Sequence, residues 1–302
     1  MAPDSAWPAS EALEHELDAL LPGIEVERVV ETGSTSTDLL ERARMTSLRD
    51  DAGAGIQLRR SVEAAAFGRR APEPFRPCLR IAERQTAGRG RHGRNWHAAP
   101  GASLTFSLAL SLERADWSGL SLAVGVALAD ALDPPGGAPR VGLKWPNDLW
   151  LVDASGGRKL GGVLIESVAR GAERIAVVGC GLNVAAQAVA DASTGVASWN
   201  EIEPAASAGR ALMRVARPLA EALRRFERDG FAAFAAGFAT RDVLRGRAVR
   251  SVAGAPLDGV AEGIAPDGAL LVRAPDGTLR RVESGEVSVR PVGPAVASMD
   301  RH

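Results

Sequence analysis

The sequence is poor in lysine, cysteine and histidine, and it has no long apolar run. It holds 302 residues with a formal net charge of −1, 2 cysteines and 4 histidines. The near-neutral charge offers no basic excess for displacing counterions, which argues against broad nucleic-acid binding. Cys78 and Cys180 lie far apart and do not indicate a disulfide framework. Without a signal pattern or a membrane-spanning run, the sequence predicts a soluble cytoplasmic protein with no membrane partner.

Lysine is the scarcest charged residue. Of the 36 basic residues only Lys144 and Lys159 are lysines. Arginine therefore serves wherever a general cation is needed. The two exceptions indicate positions that need a compact, flexible ammonium group.

The most informative segment runs from Gly88 to Trp96 and is called the arginine loop below. It interleaves glycines with Arg89, Arg91 and Arg94. Glycine lets backbone N–H groups approach a ligand closely. We expect Arg89 and Arg91, two residues apart, to project to one side and to clamp a phosphate or carboxylate with Arg94.

The glycine spacing in this loop also matches the dinucleotide fingerprint. That fingerprint requires a helix that opens within the glycine run. Here the loop leads into the alternating apolar residues Leu104, Phe106, Leu108 and Leu110, which predict a strand. The context is therefore wrong for a nicotinamide cofactor.

Further polar motifs lie at the ends of predicted elements. Hydroxyl residues 34–37 precede a helical segment, where they can cap the helix or bind a polar ligand. The motif from Lys144 to Asp148 predicts a turn that aims Lys144, Asn147 and Asp148 together. Short turns between the following strands predict an antiparallel meander rather than βαβ units. A helical pattern then covers residues 206–238, with Pro218 as a kink or break.

Together with the motifs Arg158–Gly162 and Gly179–Asn183, these segments resemble the biotin protein ligases. The resemblance implies an α+β fold with a mixed or antiparallel sheet and helices, like class II aminoacyl-tRNA synthetases. It implies a catalytic domain at residues 1–240, with a surface insertion at 44–77, and a small SH3-like β-barrel at 241–302. The implied activity is ATP-dependent formation of biotinyl-AMP, followed by transfer of biotin to a lysine of a biotin carboxyl carrier protein.

The resemblance also assigns roles to residues, with ATP and biotin as substrates and Mg²⁺ as the metal. The implied catalytic residues are Arg91, Lys159 and Arg89. The implied biotin-binding residues are Ser34, Thr35, Ser36, Gln85, Gly88, Arg89, Gly90, Arg91, Lys159, Gly161 and Gly162. The implied nucleotide-binding residues are Arg91, Arg94, Trp96, Lys144, Asn147, Asn183 and Trp199. Asp148 is the implied magnesium ligand.

Some features depart from the family or leave alternatives open. Ser36 stands where the family often has asparagine, so the hydrogen bond that this residue makes in the biotin pocket is expected to differ. About 30 residues precede Ser34, too few for the DNA-binding domain of the family's repressor members, so no DNA binding is expected. The expected state is a monomer or weak homodimer. The alternatives are a lipoate or octanoate ligase, which the acid that drives adenylation would reveal, and a nucleic-acid-binding module that uses the basic loop and C-terminal barrel.

Overall fold

The computed structural model describes residues 7–56, 74–134, 136–153, 157–187, 195–254, 256–283 and 287–291. Of the expected insertion at 44–77, residues 57–73 lie outside the described residues, and residues 44–56 belong to a helix. The helices are α1 (Ser10–Asp18), α2 (Thr35–Ile56), α3 (Leu120–Leu132), α4 (Ala208–Asp229) and α5 (Ala235–Arg241). No helix among these residues is long and apolar enough to cross a membrane.

A seven-stranded sheet forms the centre of the N-terminal part. Its strands are β1 (Glu25–Thr32), β2 (Cys78–Gln85), β3 (Ser103–Ser111), β4 (Val141–Lys144), β5 (Asp148–Leu151), β6 (Arg158–Arg170) and β7 (Glu173–Asn183). Their order is β1-β2-β3-β7-β6-β5-β4. From β4 to β7 the sheet is the predicted antiparallel meander. Outside that meander, β1 and β2 pair in parallel, with α2 in the connection between them.

The alternation of side chains on β7 separates two layers of core. Ala176 and Val178 belong to the large core that α1, α3 and α4 share with the sheet. Ile175 and Val177 face the other way and pack with Leu39 of α2. Because successive strand residues point to opposite faces, one strand serves both layers.

Helix α4 continues through Pro218, so of the predicted kink or break the break is wrong. A proline removes the hydrogen bond to the carbonyl four residues earlier. That residue is the exposed Arg214, so water can satisfy its carbonyl. The helix ends at Gly230, which has a φ of 66°. A short 3-10 turn at Phe231–Phe234 and then α5 complete the predicted helical segment.

The C-terminal part is a five-stranded antiparallel sheet. Its strands are β8 (Ala248–Gly254), β9 (Asp258–Ile264), β10 (Leu270–Arg273), β11 (Leu279–Val282) and β12 (Val287–Pro291). Their order is β11-β10-β9-β8-β12. One of its turns contacts the N-terminal part directly. The indole N–H of Trp145 donates a hydrogen bond to the carbonyl of Gly268 at 3.0 Å.

Candidate functional site

A cavity of about 230 Å³ opens on the α2 face of the sheet, beside the first turn of α2. On this face of β7, Ile175 and Val177 are followed by Gly179 and Gly181, so the apolar layer stops and space appears. A Cβ atom on Gly179 would lie 2.5 Å from the Ser36 hydroxyl oxygen. A side chain at position 179 would therefore collide with Ser36, and the small residues Ser36, Gly179 and Gly181 line the cavity. The adjacent N-terminus of α2 favours an anion.

Buried hydroxyl groups lie at the inner wall of the cavity and directly behind it. The Oγ of Ser107 lies 2.8 Å from Oγ1 of Thr35 and 3.0 Å from Oγ of Ser36. Both the N–H and the hydroxyl of Thr35 donate to Oε1 of Gln85, at 2.8 and 3.2 Å. These two bonds hold the carbonyl end of the Gln85 amide, so its NH2 group is left to face a ligand.

The arginine loop closes on itself above the cavity. The N–H of Trp96 donates to Gly88 and that of Gly90 donates to Arg94, at 2.8 and 2.7 Å. A short 3-10 turn at Arg91–Gly93 forms its tip, where His92 adopts a φ of 54°. Such a φ is uncommon for residues other than glycine and marks a strained tip.

Three side chains fix the loop to three parts of the sheet. Arg89 pairs with Glu166 of β6 at 2.9 Å, and Arg91 donates to Oδ1 of Asn147 at 3.4 Å. The ring of Trp96 lies over Gly181, where a Cβ atom would come within 2.4 Å of it. The buried indole N–H of Trp96 has no hydrogen-bond partner among the described residues.

Asp148 lies between the two lysines. Its Oδ1 accepts from Nζ of Lys159 at 2.7 Å, and its Oδ2 lies 3.6 Å from Nζ of Lys144. Burial alone would raise the pKa of Asp148, but the charges of Lys159, Lys144 and Arg91 outweigh it and hold that pKa below its ordinary value. Burial also lowers the pKa of Arg91; Asp148 opposes that shift and Arg94 adds to it. The cluster thus carries excess positive charge that faces the cavity.

The expected magnesium ligand does not have the surroundings of a protein-built metal site. Both carboxylate oxygens of Asp148 face ammonium groups. Among the described residues there is no group of three or more histidine, cysteine or acidic side chains that could hold a metal ion. The carboxylate therefore fits a role in orienting the two lysines better than a role as a metal ligand.

The structure brings most of the expected site residues together. The cavity is lined by Ser34, Ser36, Gln85, Arg89, Gly90, Arg91, Arg94, Trp96, Lys144, Asn147, Asp148, Lys159, Gly162 and Asn183. Thr35, Gly88 and Gly161 lie behind this lining. A Cβ atom on Gly88 would meet the carbonyl of Trp96, and one on Gly161 would meet Leu182.

Trp199 does not reach the cavity. Its side chain is 2% exposed in the core, and its indole N–H donates to the carbonyl of Leu132 at 3.1 Å. Val196, three residues earlier, lines the cavity instead. A tryptophan beside a motif does not reveal whether it points to a ligand or to the core, so the sequence carried no signal for this difference.

Other lining residues were not expected from the sequence. They are His92, Asn95, His97, Pro146, Val163, Leu164, Gly179, Cys180, Gly181, Gly195 and Val196. Gly179 and Gly181 did leave a signal, because two glycines at strand spacing inside an apolar run mark a close approach or an open space. Burial raises the pKa of the Cys180 thiol, so this residue is not an activated nucleophile.

The chain is similar to proteins of a known enzyme family. The biotin/lipoate A/B protein ligase family matches residues 61–183, and the biotin protein ligase C-terminal domain matches residues 246–290. The bifunctional ligase/repressor BirA of Escherichia coli is 35% identical over 217 residues, 70% of this chain; the chain spans only 65% of that relative. A biotin–[acetyl-CoA-carboxylase] ligase of Paracoccus denitrificans is 34% identical over 207 residues, 65% of this chain and 84% of the relative.

Among solved structures, a biotin protein ligase from Aquifex aeolicus in complex with biotin and ATP has the same fold. Its TM-score is 0.64 at 24% identity, with 88% of this chain and 99% of the other covered. The first family match, together with the Paracoccus relative, of which the chain covers 84%, places the chain in the biotin/lipoate ligase class. The extent of the Paracoccus match narrows this class: the chain belongs to the biotin protein ligase family.

Proposed function

We propose that this chain is an ATP-dependent biotin protein ligase. In the first step a biotin carboxylate oxygen attacks the α-phosphorus of ATP; the new P–O bond forms and pyrophosphate leaves. In the second step the amine of a carrier lysine attacks the activated carbonyl and AMP leaves. The observation that carries the proposal is the set of five cationic side chains around one cavity, Arg89, Arg91, Arg94, Lys144 and Lys159, in a chain of this family.

The chemistry of the first step suits these residues. A carboxylic acid is already ionised near neutral pH, so no general base is needed. The obstacle is the repulsion between two anions, which fixed cations and close positioning remove. We assign Arg89 and Arg91 to the carboxylate and the α-phosphate, and Lys159 to the oxygens between them. Asp148 orients Lys159 and Lys144.

The two substrates occupy different ends of the cavity in this proposal. Biotin lies against Ser34, Ser36 and Gln85, and Gly162 borders its ring. The nucleotide lies towards Arg94, Trp96, Lys144 and Asn147. Magnesium enters as the counterion of the ATP phosphates, which together with water can supply most of its ligands.

The organisation of the whole chain follows from the same proposal. Residues 1–240 form a catalytic domain related to class II aminoacyl-tRNA synthetases, and residues 241–302 form an SH3-like barrel. The partner is the biotin carboxyl carrier protein of acetyl-CoA carboxylase or of a related carboxylase, and the chain acts as a monomer or weak homodimer. Cys78 and Cys180 are both free and buried, which suits a reducing cytoplasm.

The test is ATP–pyrophosphate exchange with magnesium and one acid at a time. We expect exchange with biotin and none with lipoate or octanoate. Exchange with lipoate or octanoate alone would keep the acyl-adenylate step and replace the substrate. Folded protein that exchanges with none of the three acids would refute the proposal.

A further inference from the structure

Gln187 connects three segments that border the cavity. Its Nε2 donates to Oδ1 of Asn183 at 2.8 Å and to Oγ of Ser103 at 3.0 Å, and its Oε1 accepts from the N–H of Ala99 at 3.1 Å. Ala99 follows the arginine loop, Ser103 begins β3 and Asn183 ends β7. Both donors of the Gln187 amide are thus used within the protein.

The contact with Gln187 fixes the orientation of Asn183. Because Oδ1 of Asn183 accepts from Gln187, its Nδ2 must point the other way, where it donates to the carbonyl of Lys159 at 3.2 Å. Asn183 is 4% exposed, so a reversed amide would place two donors together without water to separate them. Both ends of the amide expected at the nucleotide are therefore held by the protein.

Hydrogen bonds from neighbouring segments hold the backbone at Lys159. The pairing of β5 with β6 shifts register between Leu149 and Trp150, and Trp150 is the residue paired with Lys159. The carbonyl of Lys159 accepts from Ala197 at 2.9 Å as well as from Asn183. The Nζ of Lys159 is held by Asp148 at 2.7 Å, and the position of the Lys159 backbone sets the point from which the side chain reaches it.

We propose that Gln187 is a positioning residue for Lys159, acting through Asn183, and that it joins this support to the exit of the arginine loop at Ala99. The inference rests on the proposed function for its kinetic consequence. Its structural part, the placement of the Lys159 side chain, is independent of any activity. The two parts are therefore tested separately.

The structural test uses the fact that the chain has only two lysines. Lysine labelled with ¹³C at Cε gives one set of side-chain signals for Lys159 and one for Lys144, assigned with Lys144→Arg. We expect Gln187→Met, which keeps the length of the side chain and removes its donors, to shift or broaden the Lys159 signals more than those of Lys144. Unmoved Lys159 signals in folded Gln187→Met would overturn the inference, even if the protein had no ligase activity.

The kinetic test measures biotin-dependent pyrophosphate exchange. Gln187→Met should lower kcat by about 10-fold with little change in the KM for biotin, because misplacement of a catalytic group by a fraction of an ångström costs on this scale. Gln187→Glu keeps the shape and loses the donors, so it should show the same loss. Ser251→Ala, which removes a hydrogen bond to Leu257 in the C-terminal sheet, is the control and should keep the wild-type kcat.

A double-mutant cycle checks the route of the effect. If Gln187 acts through Asn183, adding Gln187→Met to Asn183→Leu should cost much less than it costs in the wild type. If the losses of kcat caused by the two substitutions multiply, Gln187 does not act through Asn183. A kcat of Gln187→Met that stays within about two-fold of wild type would overturn this route as well. A wild-type protein inactive with every acid would instead refute the proposed function and leave the labelling result to decide the placement.

Discussion

Asp148 illustrates at the level of single residues how the site keeps its charge. One carboxylate lies between the two lysines, and the pKa of Asp148 is held below its ordinary value despite burial, because Lys159 and Lys144 are close. The ion pairs fix the lysines without cancelling their combined charge. A second anion that enters the cavity therefore meets a net positive cluster whose geometry is already set, which is the condition for electrostatic catalysis.

Lys159→Ala tests this cluster. The ammonium group would act on charge that develops in the transition state, so we expect pyrophosphate exchange to fall by roughly 10²–10³-fold while the fold persists. Arg250→Ala, which removes an exposed arginine paired with Asp258 in the C-terminal sheet, is the matched control and should exchange normally. Near-normal exchange by Lys159→Ala would remove this lysine from the mechanism.

Gly181→Ala tests the position of Trp96. The new methyl group would lie 2.4–2.8 Å from atoms of the indole, so the ring must move out of the cavity wall. Overpacking of this kind costs about 1–3 kcal/mol, which predicts about 10-fold weaker binding of a non-hydrolysable ATP analogue by titration calorimetry. Gly137→Ala, where no atom lies within 4 Å of the added Cβ, should bind as the wild type does. Equal affinities of the two variants would show that Trp96 does not shape the pocket.

At the level of helices and strands, the sequence predicts those features that depend on a local pattern of residues. Alternation of apolar residues predicts β3, and the turn signals place the strands from β4 to β7 in an antiparallel order. The parallel pairing of β1 and β2 depends on contacts between distant residues, which no local pattern records. The same limit explains Trp199 and Gln187: residue type and position in the chain do not tell which side of an element faces the cavity.

The segment after α5 contains a buried carboxyl group, that of Asp242. Asp242 forms a parallel β-bridge with Leu143 on the outer side of β4, the last strand of the sheet. Its Oδ1 accepts a hydrogen bond from the N–H of Leu244 at 2.9 Å. Its Oδ2 is buried without a hydrogen-bond partner among the described residues. Burial raises the pKa of Asp242 to about 6, against the opposing effects of two backbone N–H groups and Arg245.

Asp242 should therefore make the folded state pH-dependent. A carboxyl group whose pKa is raised on folding binds its proton more tightly in the folded state, so stability falls as pH rises from about 4 to about 6 and is level above that. Asp242→Asn removes this decline. The stability of the variant relative to wild type should grow by up to about 3 kcal/mol between pH 4 and pH 7 in urea unfolding. Parallel stability curves for the two proteins across this range would contradict the assignment.

At the level of the whole molecule, one turn connects the C-terminal sheet to the cavity. Gly268, with a φ of 87°, lies against the start of α3, where a Cβ atom would come within 2.8 Å of the Cα of Gly119. Its carbonyl accepts from Trp145. Trp145 is the residue before Pro146, Asn147 and Asp148, all of which line the cavity. A shift of this turn should therefore move Pro146, Asn147 and Asp148 at the cavity.

Gly268→Ala and Gly277→Ala separate this coupling from backbone strain. Both glycines have φ above 80°, so either substitution should destabilise the C-terminal sheet by roughly 1–2 kcal/mol. Only Gly268→Ala also meets the catalytic part, since nothing lies within 4 Å of a Cβ on Gly277. We expect both variants to unfold at a lower temperature, Gly268→Ala more so because of its contact with Gly119, and a several-fold lower exchange rate for Gly268→Ala alone, measured well below the unfolding temperature. Equal rates for the two variants would mean that the C-terminal sheet is attached to the catalytic part without setting the geometry of Asn147 and Asp148.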